Sequence, residues 1–311
     1  MFTQICNFIA ADIRTAMPIM IAALGLVFSE RAGVVNIGAE GILLFGSLAG
    51  VVASWYSGSA WIGLVFAMLT GGIIALVFAY LTVSLYANQV VVGAAINILA
   101  LGTTTSLNRI IFGVNAAPPK IASFANIQLP EFIRGIPFIG GGVSTIFSQN
   151  ILVYSTFLLI IPIAHFVMFK TELGLNIRGV GEHPKACDTV GINVYKIRYG
   201  TIIVSGLFCG AAGAYVSLGL LSFFMEDMIA GRGFIALAAV AFGKYTPLGI
   251  MGASLLFGGG LALESRLQAL GTGIPYQFFL MIPYILTILA LVGFAGKNKG
   301  PAAGGTPYLK E

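Results

Sequence analysis

"SERAGVVNIGAEGILLFGSLAG", residues 29–50, decides the fold. It enters what reads as a membrane span, yet Asn36 and Glu40 sit inside its otherwise apolar run, with Gly38 and Gly41 around them. An ionisable side chain in hydrocarbon costs roughly 2.5–3.5 kcal/mol on insertion scales and usually has a task.

The whole chain says which solvent surrounds that stretch. It has 311 residues, 58% hydrophobic and 9% charged, with a mean hydropathy of +0.97. Soluble domains average about 25% charged residues. Successive apolar blocks reach the roughly 20 residues that a helix needs to cross hydrocarbon, and they lack the alternation of barrel strands. The fold class expected is therefore an all-α integral membrane protein, one polytopic helical bundle of about eight to ten spans over 1–311. The net charge of +5 lies beside the spans, where it sets orientation and gives no reason to expect nucleic acid. The three cysteines, Cys6, Cys187 and Cys209, are too scattered for a disulfide framework or metal site and read as free thiols. The first apolar block is flanked by Asp12, Arg14 and Ser29-Glu30-Arg31 without a cleavage pattern, so it reads as a retained span rather than a signal peptide.

Spans are expected near 13–29, 34–56, 60–86, 89–112, 151–169, 200–221, 228–243, 248–266 and 278–296. The loop 170–199 carries Lys170, Arg178, Lys185, Lys196 and Arg198, and the tail 297–311 carries Lys297, Lys299 and Lys310. Both are expected in the cytoplasm by the positive-inside tendency, which puts 113–150 outside as a Pro- and Gly-rich cap or re-entrant loop. The 228–243 block is short for a crossing, and two readings are open for it: a full span, or a broken or re-entrant helix. It follows 200–221 as the polar "ERAGVVNIGAEG" follows 13–29, in halves of opposite orientation, the pattern of an inverted repeat with its pathway at the junction. Gly46 and Gly50, like Gly206 and Gly210, form small-xxx-small faces for close helix contact.

Within the polar loop, Pro184 suits a helix start and Gly191 the left-handed residue that ends one. That bounds an amphipathic rod from about Pro184 to Val190, with Ala186, Cys187 and Val190 on its apolar side. Alone, so short a helix is marginal in water and needs a surface to dock on. Either its own span ends supply that surface, or a cytoplasmic ATPase does.

At these residues the chain resembles a family. "FSERAGVVNIGAEGILLFGSLAG" at 28–50, "GLNIRGVGEHPKACDTVGINV" at 174–194 and "SGLFCGAAGAY" at 205–215 resemble permeases of ATP-binding-cassette importers of the ribose and branched-chain amino-acid class, nearest the nucleoside-uptake branch. The resemblance implies a channel-forming subunit with four kinds of partner: a cytoplasmic ABC ATPase, a second related permease, an extracytoplasmic substrate-binding lipoprotein and membrane lipid. It makes 174–194 the coupling loop, with Glu182, Pro184, Lys185, Ala186, Asp188 and Gly191 as coupling residues. Lys185 departs from the usual acidic first residue of that pattern, which weakens any carried-over ion pair. The chain has no G-x-x-x-x-G-K-[ST] loop, so no cofactor is expected on it and ATP is left to the partner.

For the pathway, Asn36 and Glu40 share a helix face one turn apart. Together they offer donors and acceptors suited to a ribose or nucleobase. Asn97, followed by Thr103 to Thr105, and Phe234, beside the glycines of the short block, complete the candidate set. Each has a second reading: Glu40 as the cap of a broken helix, Asn97 as glue between helices, Phe234 as ordinary packing. The same importer class with simple sugars or branched-chain amino acids as cargo is one alternative, and an ion-coupled carrier, with Glu40 as the ion site, is the rival class.

Overall fold

The computed structural model describes residues 2–113, 119, 121–127, 140–269, 277–278, 281, 285 and 300–310. The expected span 278–296, apart from 278, 281 and 285, and residues 114–118, 120 and 128–139 of the cap lie outside the described residues. The helices in chain order are α1 (Phe2–Arg31), α2 (Ala39–Ser57), α3 (Ala60–Ser84), α4 (Gln89–Phe112), α5 (Gly140–Phe147), α6 (Ile151–Lys170), α7 (Glu172–Glu182), α8 (Pro184–Thr189), α9 (Val194–Leu221), α10 (Arg232–Phe242) and α11 (Pro247–Ala269). Seven of them, α1, α2, α3, α4, α6, α9 and α11, are long and apolar enough to cross a membrane. Among the described residues the only β pairing is one isolated bridge, Asn126 with Asn150. The bundle is all-α.

Helix starts follow local chemistry. Asn88, Asn150, Thr171 and Asn193 each accept a hydrogen bond from a backbone N–H in the first turn of α4, α6, α7 and α9, where the first N–H groups lack partners in their own helix. The expected 89–112 coincides with α4. By contrast α1 and α9 run past the expected 13–29 and 200–221, to Phe2 and Val194. Polar residues mark where hydrocarbon ends, and a helix is free to continue into water.

α1 is the central post. Every residue from Ala16 to Glu30 is buried, as befits a helix apolar on all sides. It runs antiparallel to α9, with Gly25 against Phe208 and Gly33 against Arg198. α2 runs parallel to α9, with Asn36 at Ser205 and Ser47 at Gly213. The glycine faces meet each other: a Cβ on Gly46 would lie 2.7 Å from the Gly210 Cα, and one on Gly210 would overlap the Ala67 backbone of α3. Gly50 has ordinary clearance of 3.5 Å.

The short block takes the broken form. Residues 222–231 are not helical, and α10 has 11 residues, about 16 Å of helix and so about half a bilayer core. It ends beside α1, because Arg31 donates to the carbonyls of Tyr245 (3.0 Å) and Lys244 (3.4 Å). The segment thus traverses the bundle as a loop followed by a half-helix. The first half mirrors it: α1, a non-helical stretch at 32–38, then α2 turning back. The two units run in opposite directions, as an inverted repeat requires.

Candidate functional site

The helix that follows the first interruption meets the helix that follows the second, through Glu40 of α2 and the start of α10. At the first interruption, Gly33 and Val34 donate to the Glu30 and Ser29 carbonyls (2.9 Å each) to close α1. The peptide groups beyond are taken up by α4. Val35 N–H donates to Gln89 Oε1 at 2.9 Å, Gly41 N–H donates to Asn97 Oδ1 at 2.8 Å, and Asn97 Nδ2 donates to the Ile37 carbonyl at 3.0 Å. A membrane tolerates irregular backbone when neighbouring side chains satisfy it in this way. Asn97 therefore spends both ends of its carboxamide on the start of α2. Asn36 is fully buried, and its Nδ2 donates to Ser205 Oγ at 3.3 Å. Its Oδ1 has no hydrogen-bond partner.

At the second interruption, Glu40 reaches across from the first turn of α2. Its Oε1 accepts the Gly231 N–H at 2.7 Å and its Oε2 the Gly233 N–H at 2.6 Å. The carboxyl group thus caps α10 at the positive end of the helix dipole. Both glycines are needed. Gly231 has φ +82°, and a Cβ on Gly233 would stand 2.6 Å from the Glu40 Cα and N. Next to them Phe234 is 49% exposed, turned away from the bundle. Asn36, Glu40, Asn97 and Phe234 are thus brought to one junction. The three polar members are engaged there with backbone or Ser205, and the ring faces outward.

Sequence reasoning passed over two members of this junction. Gln89 reads as an ordinary polar residue at a helix start. Arg232 lies between the two capped glycines. It donates to the Met228 and Ile229 carbonyls at 3.0 Å each and is electrostatically linked to Glu40 and Glu264. Its position in "AGRGF" was the available signal.

The basic end holds the second candidate set. α8 spans Pro184–Thr189 as expected, and Gly191, at φ +88°, donates to the Asp188 carbonyl at 3.0 Å. Of the apolar side drawn from sequence, Cys187 is buried, which raises its thiol pKa, while Ala186 and Val190 are exposed. Lys185 is exposed as well. Glu182 accepts from Ala302 N–H at 3.3 Å, and Asp188 pairs with Lys310 at 3.4 Å. At the opposite end Arg109 of α4 makes a two-point pair with Glu226 (2.9 and 3.1 Å), in the loop that leads to α10.

No solved structure matches the chain. A guanosine ABC transporter permease of Bacillus subtilis is 43% identical over 99% of this chain and 98% of its own length. A second permease of the same organism, also named for guanosine, is 28% identical over 93% and 82%. A provisionally named glucose ABC transporter permease of Haloferax volcanii is 36% identical over 84% and 77%. With seven helices of membrane length and such relatives, the chain is a multi-pass protein of the plasma membrane. The model of the permease component of branched-chain amino acid transport systems matches residues 8–305, both interruptions and the α8 region included, and the chain belongs to that family.

Proposed function

We propose that this chain is one of two permease subunits of an ATP-driven importer and that its cargo is nucleosides. The observation that carries the reading is the end-to-end 43% identity to a guanosine permease. The sugar reading rests on a more distant relative that matches less of the chain. Since two permeases of one organism bear the guanosine name, at 43% and 28% identity to this chain, the partner permease is related and not identical.

The chain itself binds no cofactor in this reading. ATP is spent by a separate ABC ATPase, which grips α8 from the cytoplasm, and an extracytoplasmic lipoprotein delivers the solute. Solute passes along the face that bears Phe234, where a ring can stack on a base or sugar. Glu40, Asn97 and Asn36 shape that passage by holding the two helix starts, and α10 is the part that moves.

The test is reconstitution of both permeases, the ATPase and the lipoprotein in liposomes, with uptake of radiolabelled guanosine, inosine and glucose. ATP-dependent nucleoside uptake is expected. Glucose uptake without nucleoside uptake replaces the cargo. Uptake by this chain alone under an ion gradient replaces the class.

A further inference from the structure

The C-terminal segment is bound to the coupling region at a series of points. Ala303 N–H donates to the Gly181 carbonyl (2.9 Å), Gly305 N–H to the Gly33 carbonyl (3.1 Å), and Arg198 Nη1 to the Thr306 carbonyl (3.0 Å). Tyr308 is 7% exposed and packs with Val180, Cys187 and Val194, its ring 5.6 Å from that of Tyr195. Lys310 closes the strap on Asp188. The end of the basic cytoplasmic tail is therefore part of the fold, and it splints a six-residue helix too short to hold itself.

The strap also makes a surface. A cleft of about 720 Å³ lies between Glu182, Pro184 and Ala186 on one wall and Pro307, Tyr308 and Leu309 on the other. Leu309 in the strap wall is 59% exposed, and Val190, which follows α8 just outside the lining, is 74% exposed. Large apolar side chains left in water beside a cleft mark an interaction site, and the cleft is continuous with the α8 face. Resting on the proposed function, we infer that residues 300–310 are the second half of the ATPase-docking element. The ATPase inserts an apolar protrusion between α8 and the strap, so that it touches Val190 and Leu309 together. Through Gly305 and Gly33 the strap joins this cleft to the interruption at 32–38, so displacement of the ATPase reaches the Glu40 junction through the strap as well as through α7.

The test places a photoreactive amino acid at Val190, at Leu309 or at Tyr56, an exposed residue at the opposite end of α2, in the complete transporter in native membranes. Crosslinks to the ATPase are expected from 190 and 309 and not from 56. Crosslinking from 190 without 309 overturns the inference and leaves the coupling role of α8 standing. A crosslink from 309 alone overturns the two-sided cleft, and silence at both overturns the proposed function as well. With the probe at 309, Lys310→Asp should lower the crosslink yield about two- to fivefold, the range of an exposed pair, and Asp188→Lys added to it should restore the yield. An unchanged yield in Lys310→Asp overturns the strap.

Discussion

Glu40 and Gly233, 193 positions apart in sequence, meet at 2.6 Å, carboxyl oxygen to backbone N–H, so the start of one interrupted helix is the cap of another. Any tilt of α10 must stretch or break this bond and its companion at Gly231. The two glycines carry no side chain that could interfere, so the Glu40 carboxyl meets bare backbone N–H groups.

Glu40→Gln therefore discriminates a cap from a carrier of charge. The amide keeps one acceptor and turns its NH2 toward a second N–H, leaving a buried amide unpaired at a cost of about 1–3 kcal/mol. Thermal unfolding in detergent should move down, and uptake should fall about tenfold or more if α10 must be held in register. If Glu40 is instead an ion site, Gln leaves stability unchanged and abolishes any dependence of uptake on the ion gradient.

Gly233→Ala should destabilise the junction directly. The added methyl meets the Glu40 backbone at 2.6 Å, and overpacking against backbone typically costs about 1–3 kcal/mol. Gly252→Ala in α11 is the control, since a Cβ there meets nothing within 4 Å. That variant should be neutral or gain about 0.4–1 kcal/mol, through the lower entropy of the unfolded chain. Equal melting temperatures for the two variants would contradict the close approach.

What could be read from the sequence divides by range. Pro184 and Gly191 bounded α8 correctly because the signals that start and stop a helix act within one turn. Glu40 stood out because a carboxyl in an apolar run is costly, but its partners at 231 and 233 follow only from tertiary packing. The glycines of "IAGRGF" announced an interruption without showing that the chain still crosses the bundle. Asn97 left two readings, solute ligand or glue between helices, because its bonds to Gly41 N–H and the Ile37 carbonyl follow only from tertiary packing. The strap was invisible: "PAAGGTPYLK" has the composition of a flexible tail, and its order comes from hydrogen bonds to Gly33, Gly181 and Arg198.

Arg109 and Glu226 tie the far end of α4 to the loop before α10. The Arg109 hydrogen bond, opposed by slight desolvation, holds the Glu226 carboxyl below its ordinary range. A depressed acid contributes stability that is present above its unfolded value, about 4.3, and lost as pH falls through the lower folded value. Hydrogen exchange of residues 222–231 should thus be flat between about pH 6 and 8 once corrected for intrinsic rates. Arg109→Gln should speed it at neutral pH. Identical exchange in the variant would show that the pair restrains nothing.

Gly191 sits at φ +88° with open space where a Cβ would go. Gly191→Val therefore clashes with nothing in this chain, and its penalty is the left-handed backbone, about 1–2 kcal/mol. The last turn of α8 should reorganise and move Val190 and the Asp188–Lys310 contact, while the junction at Glu40 stays intact. Gly191→Asn keeps the same backbone at lower cost, since asparagine accepts the left-handed region. In the full transporter, Gly191→Val should insert normally yet lose most ATP-driven uptake, with the ATPase rate no longer raised by solute. Gly191→Asn should retain most of both. Equal uptake by the two variants would mean that the end of α8 plays no part in transmitting motion.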